Sequence, residues 1–208
     1  MKKKWVHLPL IVAVASLCSC VSAGFLDFTT ADSLAPLHPS LGIGAETNTA
    51  TQIPDIFGVA RIGALPGVDI GLRAGIGTLL GDVKYTLPFD WRKATLAIGF
   101  GGGANFNHQI AELFVPLRLS YLLLDNLRLA VSQQTTIFTG DYKGFAVSAG
   151  LGLKWNIGPF FLFPNAVGGY FAPAGGSWSR RSAGIVYSYK EAEEGPLGAF
   201  GLAIGLDF

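Results

Sequence analysis

The chain has 208 residues, half of them apolar, with 14% charged residues, 28 glycines and a formal net charge of +1. This composition excludes a disordered chain, which lacks the apolar surface to fold, and the near-zero charge supplies no basic surplus for nucleic acid. Mean hydropathy is high at +0.43. Beyond the N-terminus, however, no apolar run approaches the roughly 20 residues that a membrane-crossing helix needs.

Residues 1–23 have their own organisation. Lys2, Lys3 and Lys4 form a basic start, Leu8 to Leu17 an apolar stretch, and small residues follow, which is the layout of a secretory signal peptide. Cleavage after Val21-Ser22-Ala23 leaves Gly24 as the first mature residue. Leu17-Cys18-Ser19-Cys20 also resembles a bacterial lipobox, which implies lipidation of Cys20 as the alternative fate. Cys18 and Cys20 are the two cysteines of the chain, so a chain cut after Ala23 has no thiol for a disulfide or for catalysis. Residues 24–40, punctuated by Pro36 and Pro39, read as a periplasmic or lumenal lead-in without a strand.

From residue 41 onward the dominant signal is period two. Val68, Ile70, Leu72, Ala74 and Ile76 alternate with Asp69, Gly71, Arg73, Gly75 and Gly77, so one face is apolar and the other polar or small. The pattern recurs around Val83, Leu117 and Val147. A soluble β-sandwich exposes a charged face, whereas here the second face is mostly glycine, alanine and serine with single charges. Apolar outside and polar inside is the arrangement of a transmembrane barrel. The expected fold is all-β, an antiparallel up-and-down transmembrane β-barrel of about ten strands, with eight or twelve as alternatives. The strands are expected at 41–49, 55–65, 67–77, 79–89, 94–104, 112–124, 127–138, 144–157, 160–171 and 197–208.

Loop lengths agree with that reading. Pro66-Gly67, Asp90 to Lys93, Asp125-Asn126 and Gly158-Pro159 are short, as periplasmic turns are, while Thr47–Pro54, Asn105–Ala111, Thr139–Lys143 and Pro173–Pro196 supply longer external connections, although the outer one near Thr78 is tight. Aromatic residues are expected in two interfacial girdles. Phe89, Trp91, Tyr121, Trp155, Phe160, Phe161 and Phe208 mark the periplasmic one, and Phe57, Phe106, Phe138, Phe145, Tyr170 and Phe171 the outer one.

Phe200, Leu202, Ile204, Leu206 and Phe208 alternate with Gly201, Ala203, Gly205 and Asp207. This strand resembles the C-terminal β-signal of bacterial outer-membrane proteins. The resemblance implies residence in the outer membrane of a Gram-negative bacterium, contact with outer-membrane lipid and lipopolysaccharide, and recognition of Phe208 by the barrel-assembly machinery. It also implies that the last strand closes onto the first.

The same register places Arg73, Lys84, Arg118, Arg128 and Lys154 in the lumen, with Asp69, Asp82 and Asp207 as partners. Two readings follow. A cationic lumen makes a small anion-selective pore or transport channel; alternatively, ion pairs plug the interior and the barrel acts through its outer loops as a structural or surface-binding protein. In the long Ala174–Glu194 segment, Trp178, Arg180 and Arg181 are the surface-binding candidates, with lipopolysaccharide phosphates or a protein as partner. A lipid-modifying hydrolase at the rim is the least favoured reading. His108 and Glu112 would need a nucleophile within hydrogen-bond reach, and Ser120 lies about eight residues farther along its strand. No cofactor or metal site is expected.

Overall fold

The computed structural model describes residues 29–48, 54–89, 91–106, 109–140, 143–175, 178–182, 185–189 and 195–208. Its strands are β1 (Pro39–Asn48), β2 (Pro54–Leu65), β3 (Val68–Gly75), β4 (Thr78–Thr86), β5 (Ala94–Asn105), β6 (Ile110–Leu124), β7 (Leu127–Gly140), β8 (Lys143–Ile157), β9 (Phe160–Gly175), β10 (Trp178–Ser182), β11 (Ile185–Tyr189) and β12 (Gly195–Asp207). Ten of them form one closed antiparallel barrel in the order β1-β12-β9-β8-β7-β6-β5-β4-β3-β2. The ring shuts where Ser40 pairs with Asp207 and Thr47 with Phe200, so the barrel sheet itself has no open edge.

Strand number and type agree with the alternation in the sequence, and the differences lie at the ends. Pairing of Ile110 with Gly140 and of Lys143 with Gly175 carries the strands beyond the expected limits. The β7–β8 connection thereby shrinks to residues 141–142. Within 174–196, β10 and β11 form a two-stranded sheet of their own, with Trp178 opposite Tyr189. These extensions arise because a ladder continues wherever a partner strand is present to accept its hydrogen bonds, whatever the local side-chain pattern.

One end of the barrel carries the short turns. At Pro66-Gly67, proline presets the first turn residue and Gly67 adopts φ of 80°, a conformation that costs a side-chain-bearing residue steric strain. The β2–β3 and β6–β7 ladders each shift register just before such a turn, between Gly63 and Leu65 and between Leu122 and Leu124, the signature of a β-bulge. Pro116 sits inside β6 where the β5–β6 ladder steps from Ile98–Leu117 to Gly101–Phe114, which fits a residue that has no N–H to donate.

The outer face is apolar around the barrel. Ile70, Leu72, Val83, Phe100, Leu117, Ile137, Leu151 and Ile204 are all exposed, far more contiguous apolar surface than a water-soluble barrel shows. It is the surface of a barrel embedded in lipid. Phe89, Trp91, Tyr121, Trp155 and Phe160 are exposed toward the short-turn end, and Phe106, Phe145 and Tyr170 toward the other, in line with the two girdles.

Four aromatic residues expected in those girdles point inward instead. Phe57, Phe138, Phe161 and Phe171 are buried. The reason is the strict period of two: Phe160 and Tyr170 face lipid, so Phe161 and Phe171 must face the lumen. Phe57, Phe161 and Phe163 pack there with Val167, Ala199 and Ala203. Inward glycines make room for these rings. A Cβ on Gly44 would strike the Phe57 ring, and one on Gly152 the Phe163 ring. Gly44 and Gly152 therefore accommodate aromatic side chains rather than widening a passage.

Candidate functional site

The five cations read as lumenal all meet a carboxylate inside the barrel. Arg73 Nη2 lies 2.8 Å from Glu46 Oε1, its guanidinium 3.8 Å above the Phe57 ring. Lys84 Nζ lies 2.7 Å from Asp69 Oδ2, with both side chains almost completely buried. Arg118 Nη2 donates to Asp82 Oδ2 at 3.1 Å. Arg128 Nη1 donates to Asp32 Oδ1 at 2.8 Å, and Lys154 Nζ to Asp207 Oδ2 at 2.5 Å. Asp69, Asp82 and Asp207 are the carboxylates that meet Lys84, Arg118 and Lys154. Along the described wall each of these positive charges faces a negative one, which offsets the desolvation cost of holding it inside a barrel.

Three members of this network were not singled out in the sequence. Arg61 completes a triad by donating to Asp82 Oδ1 at 2.5 Å, on the inward face it shares with Phe57. Glu46 lies on β1 close to the long-connection end. Asp32 belongs to no strand at all. A parity count along β2 could have found Arg61, but no periodicity assigns a face to Asp32.

Asp32 belongs to the lead-in, whose described residues 29–38 form a strap lying inside the short-turn end of the barrel. Ala31 is fully buried and Thr30 nearly so. The strap carries few large apolar side chains, so its own backbone polar groups must find partners on the wall. Lys84 Nζ donates to the carbonyl of Thr30 at 2.9 Å and to that of Asp32. Thr86 Oγ1 donates to the Ala31 carbonyl at 2.8 Å, and Leu34 N–H to Asp69 Oδ1 at 3.0 Å. The Asp32 carboxylate accepts from Thr95 Oγ1 at 2.9 Å and from Ser120 Oγ at 2.7 Å besides Arg128. The strap leaves the lumen along β2, where Leu37 N–H donates to the Gly63 carbonyl at 2.8 Å. There Leu37 adopts φ of 66°.

Between strap and wall lies a cavity of about 40 Å³ bordered by Thr30, Asp32, Arg61, Lys84, Lys154 and Phe161, room for roughly three waters at ~10–15 Å³ each. Arg61 Nε and Nη1 are buried without a protein hydrogen-bond partner, while its Nη2 is held by Asp82.

The rim residues are placed as follows. Glu112 is buried on β6, and Ser120 is fully buried with its hydroxyl committed to Asp32. His108 and Cys20 lie outside the described residues. Trp178, Arg180 and Arg181 lie on β10, with Arg180 paired to Tyr187 and Arg181 to Val186 across the hairpin. Among the described residues no cluster of three His, Cys, Asp or Glu could hold a metal ion.

No protein-family model matches the chain, and no curated protein sequence does. Among solved structures, an outer-membrane channel from Pseudomonas putida F1 aligns over 88% of this chain and 100% of its own, with 7% identity and a TM-score of 0.54. The NanC porin aligns over 81% of this chain and 100% of its own, with 8% identity and a TM-score of 0.49. The KdgM porin in complex with disordered oligogalacturonate covers 81% and 99%, with 9% identity and a TM-score of 0.44. At these identities the likeness is one of fold: the chain shares the closed antiparallel architecture of outer-membrane barrels.

Proposed function

We propose that the chain is a narrow channel of a Gram-negative outer membrane, closed at its short-turn, periplasmic end by its own strap. One observation carries this reading. Besides the strand side chains that fill a small barrel, the short-turn end holds a separate segment tied to the wall by hydrogen bonds and one ion pair. Polar ties of this kind exchange readily with water. The channel-type fold and the lipid-facing belt support the same reading.

Withdrawal of the strap takes Asp32 out of the lumen and leaves Arg128 without its carboxylate. With Arg61 and Arg118 sharing the single carboxylate of Asp82, the unpaired Arg128 gives an open lumen a weak preference for anions, by analogy with basic rings in anion channels. In the same proposal Phe208 and its strand are the assembly machinery's handle, and Arg180 and Arg181 meet lipopolysaccharide phosphates at the outer rim. No enzymatic role is assigned.

Planar-bilayer conductance of the refolded chain from Gly24 onward, compared with a variant lacking residues 24–36, tests the proposal. Wild type is expected to be mostly shut, and the strapless variant to give stable, weakly anion-selective steps. Equal permeability to potassium and chloride rejects the selectivity. Silence of both proteins, with a heat-modifiable band on a gel proving that the barrel formed, rejects the channel. That outcome favours the second reading, a plugged barrel acting through its outer side, for which the separate β10–β11 hairpin speaks.

A further inference from the structure

We infer that the wall site receiving Asp32 is a carboxylate-binding site for a small organic acid, and that such a solute competes with the strap for it. The competition deepens the channel reading and rests on it; the binding does not.

The site is built from three adjacent strands. Thr95 on β5, Ser120 on β6 and Arg128 on β7 converge on the two oxygens of Asp32, Thr95 and Arg128 on Oδ1 and Ser120 on Oδ2. Two hydroxyls and a guanidinium on a carboxylate form a charge-assisted receptor, and all three belong to the wall, whereas the carboxylate belongs to the strap. The group thus occupies the site as an intramolecular ligand, held there at the high effective concentration of a short tether. Asp32 and Arg128 keep 24% and 31% of their side-chain surface exposed, so a free acid reaches the site without dismantling the barrel.

A second observation points to a ligand with a body. The cavity beside Asp32 is bordered by the cationic residues Arg61, Lys84 and Lys154. A carboxylate in the place of Asp32 would therefore have room, beside a cationic lining, for the rest of a small acid. Neighbouring Lys84 holds the strap by its main-chain carbonyls, so the strap keeps one anchor when its side chain is displaced. An acid that takes the receptor loosens the strap before releasing it.

The test uses the refolded barrel carrying Asp32→Ala, which empties the receptor, with acetate as the probe. The midpoint of heat-induced unfolding is expected to fall by about 3–6 °C. Sodium acetate should restore at least half of that loss in a saturable way, whereas sodium chloride of equal ionic strength should not. Adding Arg128→Ala and Ser120→Ala to Asp32→Ala should abolish the acetate effect. If acetate and chloride act alike on a folded Asp32→Ala barrel, the inference is overturned.

Should Asp32→Ala not fold, Thr30→Cys in the otherwise native chain reports the same competition. Acetate should then raise the rate of thiol labelling saturably, and a rate insensitive to acetate overturns the inference. The two readings fail separately. Acetate rescue beside a silent strapless barrel sustains the site and removes the channel; a conducting strapless barrel without any acetate effect sustains the channel and removes the site.

Discussion

At the scale of single residues, Asp82 is the clearest example of a group whose worth comes from its neighbours. It serves Arg61 and Arg118 at once, in space that exists because Gly71 has no side chain: a Cβ there would strike both the Asp82 carboxylate and the Arg61 guanidinium. Asp82→Asn should leave two guanidiniums facing each other inside the barrel. We predict a loss of about 2–4 kcal/mol, read from urea unfolding in liposomes, with partial recovery in Asp82→Asn/Arg61→Met. Leu37 is the opposite case, an exposed side chain in a left-handed conformation. Leu37→Gly should relieve that strain and stabilise the barrel by about 0.5–1 kcal/mol, measured in the same way. Neither property was legible in the sequence, since φ at Leu37 is imposed by the strap's bond to Gly63 and the Asp82 triad joins three strands.

At the scale of elements, the strands and the strap obey different rules. A strand's face follows from parity, which is why Arg73, Lys84, Arg118, Arg128 and Lys154 could be placed in the lumen in advance. Parity also corrects the aromatic girdles, because Phe161 and Phe171 each follow a lipid-facing neighbour. The strap has no period, and its position follows only from the donors and acceptors that the wall offers it. Its stability should therefore depend on few residues. In a refolded chain from Gly24, which holds no native cysteine, the buried Thr30→Cys thiol should react slowly with a polar maleimide. Asp32→Asn should speed the reaction by on the order of tenfold, the equivalent of ~1.4 kcal/mol. An unchanged rate would show that the strap's main-chain bonds to Lys84, Thr86, Asp69 and Gly63 hold it without the Asp32 side chain.

At the scale of the whole molecule, the outer surface determines where the barrel resides and the inner one how its interior is filled. Leu117 sits on the lipid face of β6 and is exposed, so Leu117→Arg should cost about 2–4 kcal/mol in bilayers, as arginine does near the midplane. Folding titrations in liposomes measure it, and a negligible cost would mean that this face does not meet lipid. The sequence by itself determined the barrel, its approximate strand number and the side of the wall on which most charges lie, because period two is local and repeats along every strand; ring closure decided on ten. Only the tertiary structure decided which carboxylate meets which cation. Arg61 and Asp82 are 21 residues apart and Arg128 and Asp32 are 96 apart, and such pairs exist only once the ring has closed and drawn the strap inside.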